Sequence, residues 1–400
     1  MSPRLSPRDL LAPIEARQGE FVEALRQLVS IDSGTYTPEG VNRIADLCEA
    51  RFVAGGWRVE RHPNEPPPGK PQLGDVVIGR LEGSGGPRIL LIGHMDTVFD
   101  AGTAEARPFR VEGERAFGPG VSDMKGGLLL GFFAVEALQE AGIEGFGSIT
   151  YICNPDEEIG SPFSRRFITE AAGEADVALV LEAARANGDI VSARKGVTDA
   201  RISIRGRAAH AGVEPEKGRS AVLEAIHKAL ALQAMNERWP DVTLNVGVIG
   251  GGTRPNVVPE HCSIEVDLRA ATPATLAEAE EELRRIAGTH TVPDVEVDVV
   301  VRSWHLPLEP SERSAQLAGV VRQVAGALGI PPPADVGSGG ASDGNTTGAA
   351  GLPTLDGLGP IGGGWHGPSE WMDLASVPAR CALLAGVLAA LAEGRSGRSA

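Results

Sequence analysis

The chain has 400 residues, too many for one ordinary hydrophobic core, so two domains are expected. Apolar residues make up 42% and charged residues 22%, a globular composition that excludes a largely disordered chain. The formal net charge of −16 disfavours nucleic acid and anionic membrane surfaces as partners.

The N-terminal stretch MSPRLSPRDLLAPIEARQ has no apolar signal core. The apolar runs LLLGFFAVEAL and CALLAGVLAALA fall short of a membrane span, so a soluble cytoplasmic protein is expected. In chain order, residues 15–30 and 41–54 are expected as amphipathic helices, then 75–81 and 88–93 as strands. A helix is expected over 125–141, opening at Lys125-Gly126-Gly127, followed by short apolar strands at 148–153 and 176–181. Strands alternating with helices imply an α/β layer with a mixed, mostly parallel sheet.

Near residue 196 the texture changes, because DARISIRGR alternates apolar and charged residues as a sheet with one open face does. A helix (220–236), strands (242–250 and 261–269), a helix (273–287) and a strand (295–302) follow. Thr272-Pro273 supplies an N-cap and a first-turn proline for the second of these helices. The order β-α-β-β-α-β is the ferredoxin-like α+β unit, expected as a domain inserted over 196–304. The α/β texture resumes with helices at 312–328 and 377–392, leaving a discontinuous catalytic domain of 1–195 and 305–400. The last few residues, EGRSGRSA, read as a low-complexity tail.

Three apolar runs end in candidate ligands: GHMD (His94, Asp96), ICNPDEEIG (Asp156, Glu157, Glu158) and LVLEA (Glu182). Asp123 sits between them, in the Gly-rich turn GPGVSDMKGG just before a helix. Ligand sites in α/β sheets lie outside the carboxyl ends of the strands, where these residues fall. Cys48, Cys153, Cys262 and Cys381 are dispersed without a CxxC pair, which excludes a thiolate zinc module and a disulfide framework. A histidine with several carboxylates suits zinc, with cobalt or manganese also accommodated. A two-metal site calls for a second histidine. Of the eight in the chain, His366 in the Gly-rich GGGWHGPSEW suits a ligand delivered from afar, and His210 in GRAAHAG is available to a substrate.

The segments GHMDTV, GPGVSDMKGG, PDEEIGS, LEAA, AAHAG and GWHGPSE together resemble the M20 metallopeptidases, over nearly the whole chain. The glutamate carboxypeptidases are the members most similar. The resemblance implies a zinc-exopeptidase fold holding two zinc ions per chain. His94, Asp123 and Glu182 would hold one ion, and Asp123 would bridge to a second completed by Glu158 and His366. Glu157 would be the general base and Asp96 would orient His94. In the family the peptide after the bridging Asp, here Asp123–Met124, is commonly cis.

The implied reaction is amide hydrolysis by hydroxide generated at the metal pair, with Glu157 moving the proton to the leaving amine and His210 stabilising the oxyanion. Asn256 in RPNVVPE and Arg269 in VDLRA match family positions that contact the substrate carboxylate. Lys195, Arg254 and Arg302 are weaker candidates, and Gly339, Gly340 and Asp343 match a Gly-rich loop near the active site. The released residue is expected to be glutamate-like, from a small peptide or an N-acyl amino acid. A homodimer through the inserted domain is implied as well. The loop 182–194 lacks the proline that often follows the glutamate ligand in the family, which leaves the side-chain pocket open.

Other classes fit poorly. A serine hydrolase is not expected. GGGWHG formally matches GxGxxG but opens no long helix in a βαβ unit, a chance product of 52 glycines. A binding protein that had lost catalysis would have no use for Glu157. Within enzymes the runner-up is an N-acyl-amino-acid amidohydrolase (deacetylase) or an aminopeptidase of the same family.

Overall fold

The computed structural model describes residues 6–394; part of the expected tail, 395–400, lies outside the described residues. The chain divides into two compact units. The first runs to Ser192, takes in Pro310–Gly337 and resumes at Ser342; the second is Ala193–Glu309 with Ser338–Ala341.

The first unit is built on a six-stranded sheet in the order Arg58–His62, Val76–Glu82, Ser148–Asn154, Arg88–His94, Val177–Val180, Thr354–Leu355. The first two pairings are antiparallel and the other three parallel, the mixed α/β sheet expected from the sequence. Alternate residues of Arg88–His94 enter different cores. Ile89 and Leu91 join the cluster under the helices Gln18–Val29, Pro38–Ala54 and Gly126–Glu140, whereas Leu90 and Ile92 pack with Ile168 and Ala172 of Arg165–Glu174. The apolar run Ile89–Ile92 is thus buried on both faces.

Two expectations need correction. The helix expected over 15–30 is a pair, Pro7–Ala16 and Gln18–Val29, broken at Arg17. Ser6 at the N-cap and Asp9 in the first turn form a capping box around Pro7, which starts the chain's first helix earlier than the apolar spacing indicated. The C-terminal apolar run is also longer than expected. Leu374–Ala392 has the length and apolarity of a membrane span, but Val377–Ala392 packs against Pro7–Ala16, Gly126–Glu140 and Glu312–Leu328 as a core helix.

The second unit is a four-stranded antiparallel sheet in the order Thr243–Gly251, His261–Ala270, Gly196–Arg205, Glu296–His305, with helices Ala221–Gln233 and Pro273–Gly288. It follows the expected β-α-β-β-α-β order, and Thr272 accepts the N–H of Thr275 as the cap of its second helix. Ile202, Ile204, Ile264, Val266 and Leu268 form its core with Leu276 and Leu283, while Arg201, Ser203 and Glu265 stay on the open side. The fully buried Lys228 and Glu224 pair inside it at 2.9 Å.

Candidate metal centre

Strand register brings the chemistry together. His94 is level with Asn154, and Ile92 with Val180, so His94, the 156–158 turn and Glu182 emerge at the same end of the sheet. Asp123 arrives in the turn before Gly126–Glu140, where the Asp123–Met124 peptide is cis. His366 arrives from the hairpin of Gly362–Gly363 and Trp371–Asp373.

His94 is buried, and its Nδ1 lies 3.0 Å from the Asp96 carbonyl and 3.3 Å from Asp96 Oδ1. Those acceptors take the Nδ1 proton and leave Nε2 as the atom facing the site. Among the described residues His94 Nε2 is buried with no hydrogen-bond partner, although Asp123 Oδ1, Glu182 Oε1 and Glu157 Oε2 lie 3.3, 3.6 and 4.0 Å away. On the other side, His366 Nε2 lies 3.2 Å from both Asp123 Oδ2 and Glu158 Oε2. The two oxygens of Asp123 therefore face different histidines.

Electrostatics point the same way. Hydrogen bonds to Asp123 and Glu158 carry the His366 imidazole up to about 10. Burial pulls His94 down, yet Asp123, Asp96, Glu182 and Glu157 hold it well above the usual imidazole range. Burial, with neighbouring carboxylates adding, pushes Glu157 and Glu158 upward. Such a cluster of acids around a lone imidazole nitrogen needs positive charge. The donor set is nitrogen and oxygen without thiolate, and it fits divalent cations. The side chains group as His94, Glu157 and Glu182, and as His94, Asp123 and Glu158. Both groupings differ from the expectation: the first has Glu157, whose oxygen is the farthest of the three carboxylates from His94, in place of Asp123, and the second has His94 in place of His366.

Asp96 accepts from the N–H of Glu157 at 3.1 Å, the N–H of Glu158 at 3.2 Å and the Thr35 hydroxyl at 2.6 Å. Asp156 faces away from the centre and accepts from Phe163 N at 2.6 Å and Ser164 N at 3.3 Å. Asp343, which carried no role from sequence, is buried and accepts from Asn154 Nδ2 at 2.7 Å and from the Ser161 hydroxyl. It thereby grips both ends of the 155–160 segment. The stretch 182–194 is not all loop, because Ile190–Arg194 is a strand.

In the second unit, a backbone bridge between His210 and Val257 sets the exposed His210 beside Asn256, whose carbonyl accepts from Ala211 N at 3.0 Å. Arg269 forms a bidentate pair with Asp267 (2.8 and 3.0 Å) and donates to the Gly339 carbonyl at 2.9 Å. Gly340 O accepts from Arg194 at 2.9 Å, and Lys195 donates to Thr243 at 2.7 Å. Arg254 and Arg302 are exposed. Thr35 and Glu370 escaped the sequence reading. Glu370 lies within the quoted GWHGPSE segment, but its partners are some 250 residues away in the chain and no local pattern marks them.

The profile of peptidase family M20/M25/M40 matches residues 90–390, and the chain belongs to that family. M20 peptidases are dinuclear metal enzymes. Over 384 residues the chain is 30% identical to carboxypeptidase G2 of Pseudomonas sp. (strain RS-16), covering 94% of this chain and 91% of that one. It is 28% identical over 332 residues to the succinyl-diaminopimelate desuccinylase of Alkalilimnicola ehrlichii, covering 76% of this chain and 84% of the other. The crystal structure of aminopeptidase PepT from Bacillus cereus ATCC 10987 superposes with a TM-score of 0.76 at 25% identity, covering 94% of this chain and 99% of that one.

Proposed function

We propose that the protein is a dinuclear metallohydrolase that releases a C-terminal, glutamate-like amino acid from a small peptide or an N-acyl amino acid. The observation that carries the hydrolase reading is Asp123, whose two oxygens address His94 and His366 separately, as a bridging ligand must. Likeness to carboxypeptidase G2 over 94% of the chain supports release of a C-terminal residue.

In this reading His94, Asp123 and Glu182 hold one ion, and Asp123, Glu158 and His366 hold the other. The residues suit zinc, with cobalt or manganese also accommodated. When bound, such a pair lowers the pKa of a water and polarises a carbonyl. Glu157, turned toward the same space and pinned by Asp96, takes the water proton and passes it to the leaving amine nitrogen. His210 contributes a donor to the developing oxyanion, and Arg269 and Asn256 meet the substrate carboxylate. Arg269 does so by exchanging Asp267 for the substrate. The inserted unit also offers a dimerisation surface: the edge strand Thr243–Gly251 exposes Val248 and Ile249, and Ala221–Gln233 exposes Leu223, Ile226 and Leu230.

The test is metal content together with hydrolysis of an N-acyl-glutamate by wild type and Glu157→Ala. About two metals per chain, with activity lost in a variant that keeps its metal, is the expected result. Two metals without turnover moves the substrate to other acyl groups, where likeness to a desuccinylase favours an N-acyl deacylase. No metal overturns the reading.

A further inference from the structure

We propose that Glu370 is the positioning residue for the bridging aspartate, holding the Asp123 turn and the His366 loop as one unit. This rests on the reading of Asp123 and His366 as metal ligands.

Glu370 is 2% exposed, yet it faces no arginine or lysine within ion-pair distance among the described residues. Backbone amides satisfy it instead. Its Oε1 accepts from Ser122 N at 2.9 Å, Asp123 N at 3.0 Å and the Ser122 hydroxyl at 3.3 Å, and its Oε2 accepts from Gly120 N at 2.8 Å. A carboxylate in a concavity of N–H groups forms charge-assisted bonds, stronger than neutral ones, and it fixes the backbone that supplies them.

The hairpin that carries Glu370 also carries His366. His366 sits between its strands, and Glu370 directly precedes Trp371–Asp373. Met372 pairs with Ala116 of Arg115–Phe117, the strand that leads into the 118–123 turn. The hairpin therefore holds Asp123 at two points, the backbone N–H through Glu370 and the carboxylate through His366. The approach is close enough to require glycine. A Cβ on Gly362 would lie 2.5 Å from Ser122 Cβ, and Gly120, which donates to Glu370, has φ +71°.

Glutamine cannot replace this carboxylate. Its carboxamide accepts through one oxygen only, and its NH2 would face an N–H donor, leaving a buried amide unpaired. The consequence reaches the metals because both share Asp123. A role confined to folding would instead lower the melting temperature and leave the affinity of folded molecules unchanged.

The experiment is competition of the metal-stripped full chain with a chromophoric chelator for Zn2+, with circular dichroism to confirm folding. Wild type is compared with E370Q, with S122A, which deletes one of the four donors, and with E136Q, in the separate ionic cluster with Arg17 and Arg51. The expected result is two ions in wild type and an affinity for at least one of them about 10–100-fold weaker in E370Q. S122A is expected to be weaker by a few-fold, and E136Q unchanged. Folded E370Q with wild-type affinity overturns the inference, as does an equal loss in E136Q. If E370Q does not fold, wild-type affinity in S122A overturns it. A wild-type chain that takes up no metal overturns the metallohydrolase reading itself, a result distinct from all of these.

Discussion

Asp96 and Glu157 are joined directly: the backbone N–H of Glu157 donates to Asp96 Oδ1 at 3.1 Å. The same oxygen lies 3.3 Å from His94 Nδ1, so one carboxylate sets both the tautomer of a ligand and the place of the base. Asp96→Asn keeps the size but turns an NH2 toward groups that donate. Metal retention and kcat/KM are each expected to fall about 10–100-fold, the usual consequence of losing such a partner. Metal analysis after dialysis, paired with kinetics, checks it; wild-type values for both would remove Asp96 from the machinery.

His210 is exposed, its Nδ1 accepts from Gly212 N at 3.1 Å, and it belongs to the unit without the metal ligands. Its loss should therefore leave metal content untouched. His210→Ala is expected to lower kcat/KM by about 10²–10³, the range for one oxyanion donor, with the metal-to-chain ratio unchanged. Unchanged kcat/KM would end its assignment.

Glu224 lies buried against Lys228 and accepts from Thr291 N and Val292 N at 2.9 and 2.7 Å. Burial raises its pKa, but these amides and the ammonium outweigh burial and hold the carboxyl below its usual range. Glu224→Ala leaves Lys228 buried with only carbonyl partners and is expected to destabilise the chain by about 3–5 kcal/mol in chemical denaturation. The sign with pH follows from the depressed value. The stabilisation is complete above about pH 4.3, where the unfolded carboxyl is ionised, and is lost as pH falls through the lower folded value. The gap between wild type and Glu224→Gln should therefore narrow below about pH 4; a gap that widens there would contradict this.

Much of the fold was legible because its signals are local. The run Ile89–Ile92 marks a strand buried on both faces, and the alternation in DARISIRGR marks a sheet with one open face. Thr272-Pro273 marks a helix start. The break at Arg17 was not legible from apolar spacing, because Gln18–Val29 simply continues the periodicity of the preceding helix. The short strands at Gly362–Gly363 and Trp371–Asp373 were missed because pairing, with each other and of Trp371–Asp373 with Arg115–Phe117, makes them strands, not composition.

By itself, the sequence determined the residue types of the centre and the family to which the chain belongs. His94, Asp123, Glu157, Glu158, Glu182 and His366 sit in motifs whose chemistry is written at short spacing. Only the tertiary structure decided which oxygen of Asp123 faces which histidine, that Asp96 serves Glu157 as well as His94, and that Glu370 braces the turn. It also identified Asp267 as the partner of Arg269. These are pairings between residues up to some 250 positions apart, or choices among competing partners. Hydrogen bonds depend on distances of a few tenths of an ångström, and those distances exist only once strand register and hairpin placement have brought the partners together.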